Sequence, residues 1–250
     1  MRDSVTGGAR RMWRSLPVPF TTTINQWRRR GEPPLGLVDF GDLRRVTPIC
    51  DDFGYSRGGP VDRHYVELFL KKHRGDIAGR VLEIGDNSYT RTFGGEAVTR
   101  SDVLNVAPVS GATFVGDLSN GDFLPDAAFD CVVLTQTLHL IFDFAAALRT
   151  IERILAPGGV LLVTVPGPSN IDPREWGSTW FYSFTHHTLL RMNKEFLPNC
   201  TAEIESWGNV LTSVAFLHGL GAAELTPAEL AVCDPDYALI HTGRFAKRRP

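Results

Sequence analysis

The sequence predicts an open α/β fold, a mostly parallel sheet with helices packed on both faces. Three observations carry this. Short apolar runs alternate with helical patterns from Arg80 to Val165. The first of these runs, RVLEI, ends in Gly85 and a polar turn. Acidic residues, Glu83, Asp102 and Asp117, fall near the ends of successive runs, and an open sheet binds its ligand across the carboxyl ends of its strands.

Composition sets the outer limits. A chain of 250 residues with 43% apolar residues can build a real core in one domain with extensions. A formal net charge of -2 provides no global attraction for nucleic acid or an anionic membrane, so a small or neutral substrate molecule is the expected partner. A homo-oligomer is compatible with the same composition. Cys50, Cys131, Cys200 and Cys233 form no C-x-x-C pair, so neither a metal site nor a disulfide framework is expected. No apolar run approaches the ~18 residues of a membrane helix, and the first residues lack the apolar core of a signal peptide. These features point to a cytoplasmic setting.

Residues 1–60 are expected to be an amino-terminal extension and residues 61–250 the folded domain. The extension begins as a tail rich in Arg, Gly and Pro, with Trp13, Trp27 and the run Arg28, Arg29, Arg30. From Leu35 to Pro60 it becomes irregular and too apolar for a linker, and is expected to pack over the domain. A helix follows from Pro60 to about His73, with Val61, Tyr65, Leu68 and Phe69 on one face and Gly75 as its stop. Arg63, His64 and Tyr65 either face a ligand or divide between core (Tyr65) and solvent.

The second strand closes on Ser101 and Asp102, where a carboxylate would meet ribose hydroxyls. The short interval after Gly85 has room for one or two helical turns. Ala112 to Gly116 forms a third strand, ending in Asp117 and Leu118, with Asp117 either on the ligand or capping the next turn. Phe129 to Thr135 is a fourth, fully apolar strand, followed by Gln136 and His139. Asp143 caps a helix with Phe144, Leu148, Ile151 and Leu155 on one stripe, and Val160 to Val165 is the fifth strand. Thr201 to Trp207 reads as a sixth strand, Val210 to Leu220 as an apolar helix, and Ala238 to Lys247 as a seventh strand.

The turn after the first strand identifies the class of ligand. A dinucleotide site needs G-x-G-x-x-G, which lets the backbone approach a pyrophosphate, yet Gly85 is followed by Asp86, Asn87 and Ser88. A carboxylate there repels phosphate but suits a ligand bearing an ammonium and a sulfonium, as S-adenosylmethionine does. A nicotinamide oxidoreductase is disfavoured on the same ground. The stretch resembles motif I of the class I S-adenosylmethionine-dependent methyltransferases at Glu83 and Gly85, without that motif's second and third glycines. The block FDCVVLTQTLHLIFDFAAALRTIERILAPGGVLLVTVPG resembles the same family more specifically, in its F-D-x-V strand, T-L-H-x-x-x-D stretch and L-x-P-G-G-x-L-L turn. The resemblance implies a Rossmann-like, seven-stranded sheet whose last strand is antiparallel. It also implies S-adenosyl-L-methionine as cofactor, held by Glu83, Gly85, Asp86, Asn87, Asp102, Val103, Asp117, Leu118, Thr135 and Gln136.

WGSTWFYSFTHHTLLRMNKEF resembles a segment of a bacterial subgroup associated with glycan and natural-product pathways. There Thr185 would cap a helix, and His186 and His187 would be acceptor-site residues. Ser183 stands where that subgroup has an arginine. Methyl transfer from a sulfonium needs positioning, and a base only if the acceptor must lose a proton. His139, at the carboxyl end of the fourth strand, is the candidate base, expected to titrate at roughly pH 6 to 7. It could instead only fix its turn. The expected activity is O-methylation of a sugar or sugar-bearing metabolite, the alternative a non-catalytic binding module that has kept the fold.

Overall fold

The computed structural model describes residues 33–172 and 174–249. The tryptophans and the triple arginine of the tail lie outside them. The chain divides into two units, Met1–Val46 and Thr47–Pro250. In the described part of the first, Gly41–Leu43 makes a 3-10 turn and the Arg44 guanidinium lies over the Phe40 ring.

The second unit holds one seven-stranded sheet: β1 (Gly79–Ile84), β2 (Val98–Asn105), β3 (Phe114–Val115), β4 (Phe129–Thr135), β5 (Leu155–Pro166), β6 (Cys200–Trp207) and β7 (Ile240–Lys247). The spatial order is β3-β2-β1-β4-β5-β7-β6. Pairings from β3 through β5 are parallel, and β7 runs antiparallel to both of its neighbours. The Rossmann-like sheet with a reversed last strand is therefore present as expected.

Alternation along the strands sends side chains to two cores. Leu82, Val132, Leu134, Leu161 and Val163 face one side, with α2 (Phe144–Ile154) and α3 (His186–Phe196) over them. Val81, Cys131, Val133, Val160 and Leu162 face the other, under α1 (Val61–Lys72) and α4 (Val210–Leu217). A short α5 (Pro227–Ala231) precedes β7. Cys131 is fully buried, and burial pushes its thiol far above the ordinary range.

The helix starts follow the sequence. Asp143 accepts from the Ala146 N–H and Thr185 from the Thr188 N–H, each satisfying a donor that its helix leaves open. Strand limits differ more. β3 is two residues long instead of five, and β5 starts at Leu155 because Ala127 and Ala128 N–H groups bond back to Arg153 and Ile154 and draw the chain into pairing before the glycines. Between β1 and β2 there is only a π-helical turn, Thr90–Gly94, and a 3-10 turn, Gly95–Ala97. Ile49 and Cys50 N–H groups donate to the His218 carbonyl, tying the segment before α1 to the end of α4.

Candidate active site

The carboxyl ends of β1, β2, β3, β4 and β5 open into one cavity of about 970 Å³, lined there by Gly85, Asn105, Asp117, Thr135 and Pro166. Phe53, Arg63, Trp176, Trp180 and Phe216 wall the side away from the strand ends.

Gly85 has φ +95°, a conformation costly for any residue with a Cβ. A Cβ built there would meet nothing within 4 Å, so the backbone lies open to a ligand. One step back, Glu83 is 3% exposed and accepts the Tyr89 and Thr90 N–H groups at 3.2 and 2.7 Å. Burial raises its pKa, and these N–H bonds oppose the shift. Glu83 thus anchors the short turn and contributes to the cavity floor through the same side chain. Asp86 accepts from the Ser88 N–H at 2.6 Å, and hydrogen bonding to Ser88, through its hydroxyl first and its N–H second, holds the carboxyl below the usual range.

Asp117 caps the next turn, accepting the Ser119 N–H at 2.8 Å, and also lines the cavity. Leu118 follows as the first residue of a 3-10 turn, where a backbone N–H has no carbonyl of its own helix to reach. Gln136 is left-handed at φ +44°, held there by N–H bonds to the Thr164 carbonyl and hydroxyl at 3.0 and 3.1 Å. Its Nε2 is buried without a hydrogen-bond partner. An orphaned donor in the cavity wall and an open glycine backbone fit a polar ligand such as S-adenosylmethionine.

His139 also lines the cavity, 2% exposed. Its Nδ1 is buried without a partner, and the Trp180 ring centroid lies 4.3 Å away. Burial, and secondarily the Arg63 charge, push its pKa down to about 4. The expected titration near pH 6 to 7 is corrected on this ground: burial against an indole makes the cationic form of the imidazole less favourable.

Other expectations change too. Asp102 does not mark the tip of its strand, because β2 continues to Asn105. Asp102 is 1% exposed and pairs with Arg80 Nε at 2.7 Å and Arg100 Nε at 3.1 Å. Asn105 occupies the tip, in the cavity wall, with Nδ2 donating to the Gly85 carbonyl at 3.2 Å. Val103 is buried in the sheet, opposite Glu83. Asn87 turns away, its Nδ2 donating to Ser101 Oγ at 3.1 Å. None of these three lines the cavity.

His186 and His187 also stand outside it, edge to face with each other on the first turn of α3. Tyr65 is core, its hydroxyl donating to the Leu230 carbonyl at 3.1 Å. Arg63 alone of the α1 candidates reaches the cavity. Asn105 was findable by counting, since it lies about 20 residues past the glycine, the spacing of a ribose-binding residue. Phe53 carries no sequence signal, because an irregular segment brings it to the wall.

A family profile described as a methyltransferase domain matches residues 63–198, more than half of the chain. The ubiquinone/menaquinone biosynthesis C-methyltransferase UbiE of Enterobacter sp. (strain 638) is 27% identical over 157 residues, covering 63% of this chain and 56% of that protein. The chain thus spans little more than half the length of that curated relative. A SAM-dependent methyltransferase from Archaeoglobus fulgidus aligns with 74% of this chain and 94% of its own, at TM-score 0.51 and 15% identity. The [4+2]-cyclase SpnF aligns with 75% of this chain and 81% of its own, at TM-score 0.50 and 18% identity. These two share the fold, and a methyltransferase and a cyclase on one fold illustrate that a fold does not by itself fix the reaction. With a match over more than half its length, the chain belongs to the methyltransferase-domain family.

Proposed function

We propose that the protein binds S-adenosylmethionine across the strand tips and methylates a hydroxyl oxygen of a small molecule, a sugar or sugar-bearing metabolite. The carrying observation is His139, a titratable ring in the cavity wall at the end of β4, beside the orphaned amide of Gln136. S-adenosylmethionine supplies a methyl group on a sulfonium, which departs as a neutral thioether when the acceptor oxygen takes the methyl.

The protein's share is placement and one proton. Gln136 and Asp117 orient the ligand from the strand tips, and the exposed Trp176 indole in the cavity wall offers a surface on which a sugar ring stacks. The acceptor hydroxyl proton passes to His139 Nε2, since Nδ1 is sealed from solvent. The same reading assigns residues 61–250 to the methyltransferase domain and residues 1–60 to an extension that contributes Asp52 and Phe53 to the wall. The Enterobacter relative's name favours carbon as acceptor; the histidine is our reason for preferring oxygen.

Mass spectrometry of the purified protein with S-adenosylmethionine and pools of glycosides, phenols and amines tests this reading. Mass gain of one methyl on a hydroxyl compound is expected, and His139→Ala should lower turnover about a hundredfold or more with cofactor affinity nearly unchanged. Methylation confined to carbon or nitrogen acceptors would overturn it. Cofactor binding without turnover on any pool would favour the non-catalytic binding module.

A further inference from the structure

We propose that Arg63 and Asp86 form a side-chain clamp for the zwitterionic amino-acid end of the cofactor, taking over from the glycines this chain lacks after Gly85. The inference rests on the S-adenosylmethionine reading above and deepens it.

Arg63 lines the cavity from the first turn of α1. Among the described residues no carboxylate oxygen lies within 4.0 Å of its guanidinium; its hydrogen bond runs from Nη1 to the Tyr89 hydroxyl at 3.3 Å. Tyr89 is itself tethered, its N–H donating to the buried Glu83 carboxylate at 3.2 Å. A chain of contacts therefore holds the guanidinium above the tip of β1. Burial opposes its charge, but Asp62, Tyr89 and Tyr55 more than offset that, so Arg63 stays charged. Glu67, one helical turn on, also lines the cavity, without pairing to it.

Asp86 follows Gly85 at the same tip and lines the same cavity as Arg63; hydrogen bonds to Ser88 first, and Arg63 among the nearby cations, hold its carboxyl below the usual range. Arg63 and Asp86 thus put a cation and an anion in the cavity wall that also holds the open Gly85 backbone, with Asp62 and Glu67 on the α1 side. That arrangement matches an α-ammonium and an α-carboxylate on one carbon. A phosphate or a dicarboxylate would meet Asp86 as a like charge, and a diamine would meet Arg63. In a glycine-rich turn, backbone N–H groups would do this work. Here the π-helical turn is short, and the N–H groups of Ser88, Tyr89 and Thr90 that lead into it are occupied by Asp86 and Glu83. Side chains therefore take over part of the recognition of the amino-acid end.

Titration calorimetry on the full chain with S-adenosylhomocysteine and with 5′-methylthioadenosine, which lacks the amino-acid end, tests the clamp. Arg63→Gln and Asp86→Asn should each weaken S-adenosylhomocysteine binding about tenfold to a hundredfold, the range for a charged hydrogen bond, and leave 5′-methylthioadenosine nearly unchanged. If Arg63→Gln does not fold, Arg63→Lys takes its place: loss confined to S-adenosylhomocysteine supports the clamp, and equal loss of both ligands, or of neither, overturns it. Wild-type protein that binds both ligands, with S-adenosylhomocysteine unaffected by either substitution, would overturn the clamp while leaving the cofactor reading intact. Wild-type protein that binds neither ligand would overturn that reading and the clamp with it.

Discussion

The Asp102 carboxylate accepts from Arg80 Nε at 2.7 Å, joining β2 to β1 inside the sheet, three residues short of the strand tip where a ribose would lie. The contact makes Asp102 a stability residue. Arg80 sits at 23% side-chain exposure and Arg100 at 57%, so solvent screens part of both pairs. Removing the buried partner still strands a guanidinium at the sheet.

Asp102→Asn should therefore lower unfolding stability by about 2–3 kcal/mol, below the range for a fully buried pair, with S-adenosylhomocysteine affinity unchanged. Denaturant unfolding and calorimetry on the same preparation check both halves. A variant of normal stability that binds the ligand poorly would return Asp102 to the site.

Asn105, at the end of β2 and in the cavity wall, is the residue predicted to take the ribose role. Asn105→Ala should weaken S-adenosylhomocysteine binding by about 1–2 kcal/mol, through one neutral hydrogen bond to a hydroxyl and the lost tie to Gly85. Asn105→Asp, which restores an acceptor for two hydroxyls, should bind at least as well as Asn105→Ala. Calorimetric affinities that rank the other way would remove Asn105 from the ribose.

Two buried histidines set an acid limit on the fold. His139 and His241, 2% and 6% exposed, have pKa values pushed down from 6.5 to about 4, chiefly by burial. The native protein holds both neutral, whereas the unfolded chain takes up protons at the ordinary value. As pH falls from about 6.5 toward 4, protonation therefore favours unfolding, by on the order of 3 kcal/mol for His139 at the lower end. Thermal melts should be flat on this account above about pH 7 and fall below it, with a shallower fall in His139→Gln. An unchanged slope in that variant would mean His139 is protonated in the folded state.

The sequence alone determined the sheet, because its information is local and repetitive. Apolar runs such as FDCVVLT and VLLVTV must bury both faces, and Asp143 and Thr185 mark helix starts through bonds made within a few residues. Gly85 and Asp86 were likewise legible, since a positive φ and a fixed charge act where they stand. What only the tertiary structure decided is which side chains meet across elements. Whether β2 ends at Asp102 or Asn105 depends on β1 and β3 continuing to pair with it. Whether His139 titrates near neutrality depends on Trp180, which arrives from a loop some forty residues downstream. Arg63 gains its place above Gly85 through Tyr89 and Glu83, a path that crosses from helix to turn to strand. Burial and long-range pairing set those outcomes, and neither can be read from residue type and spacing.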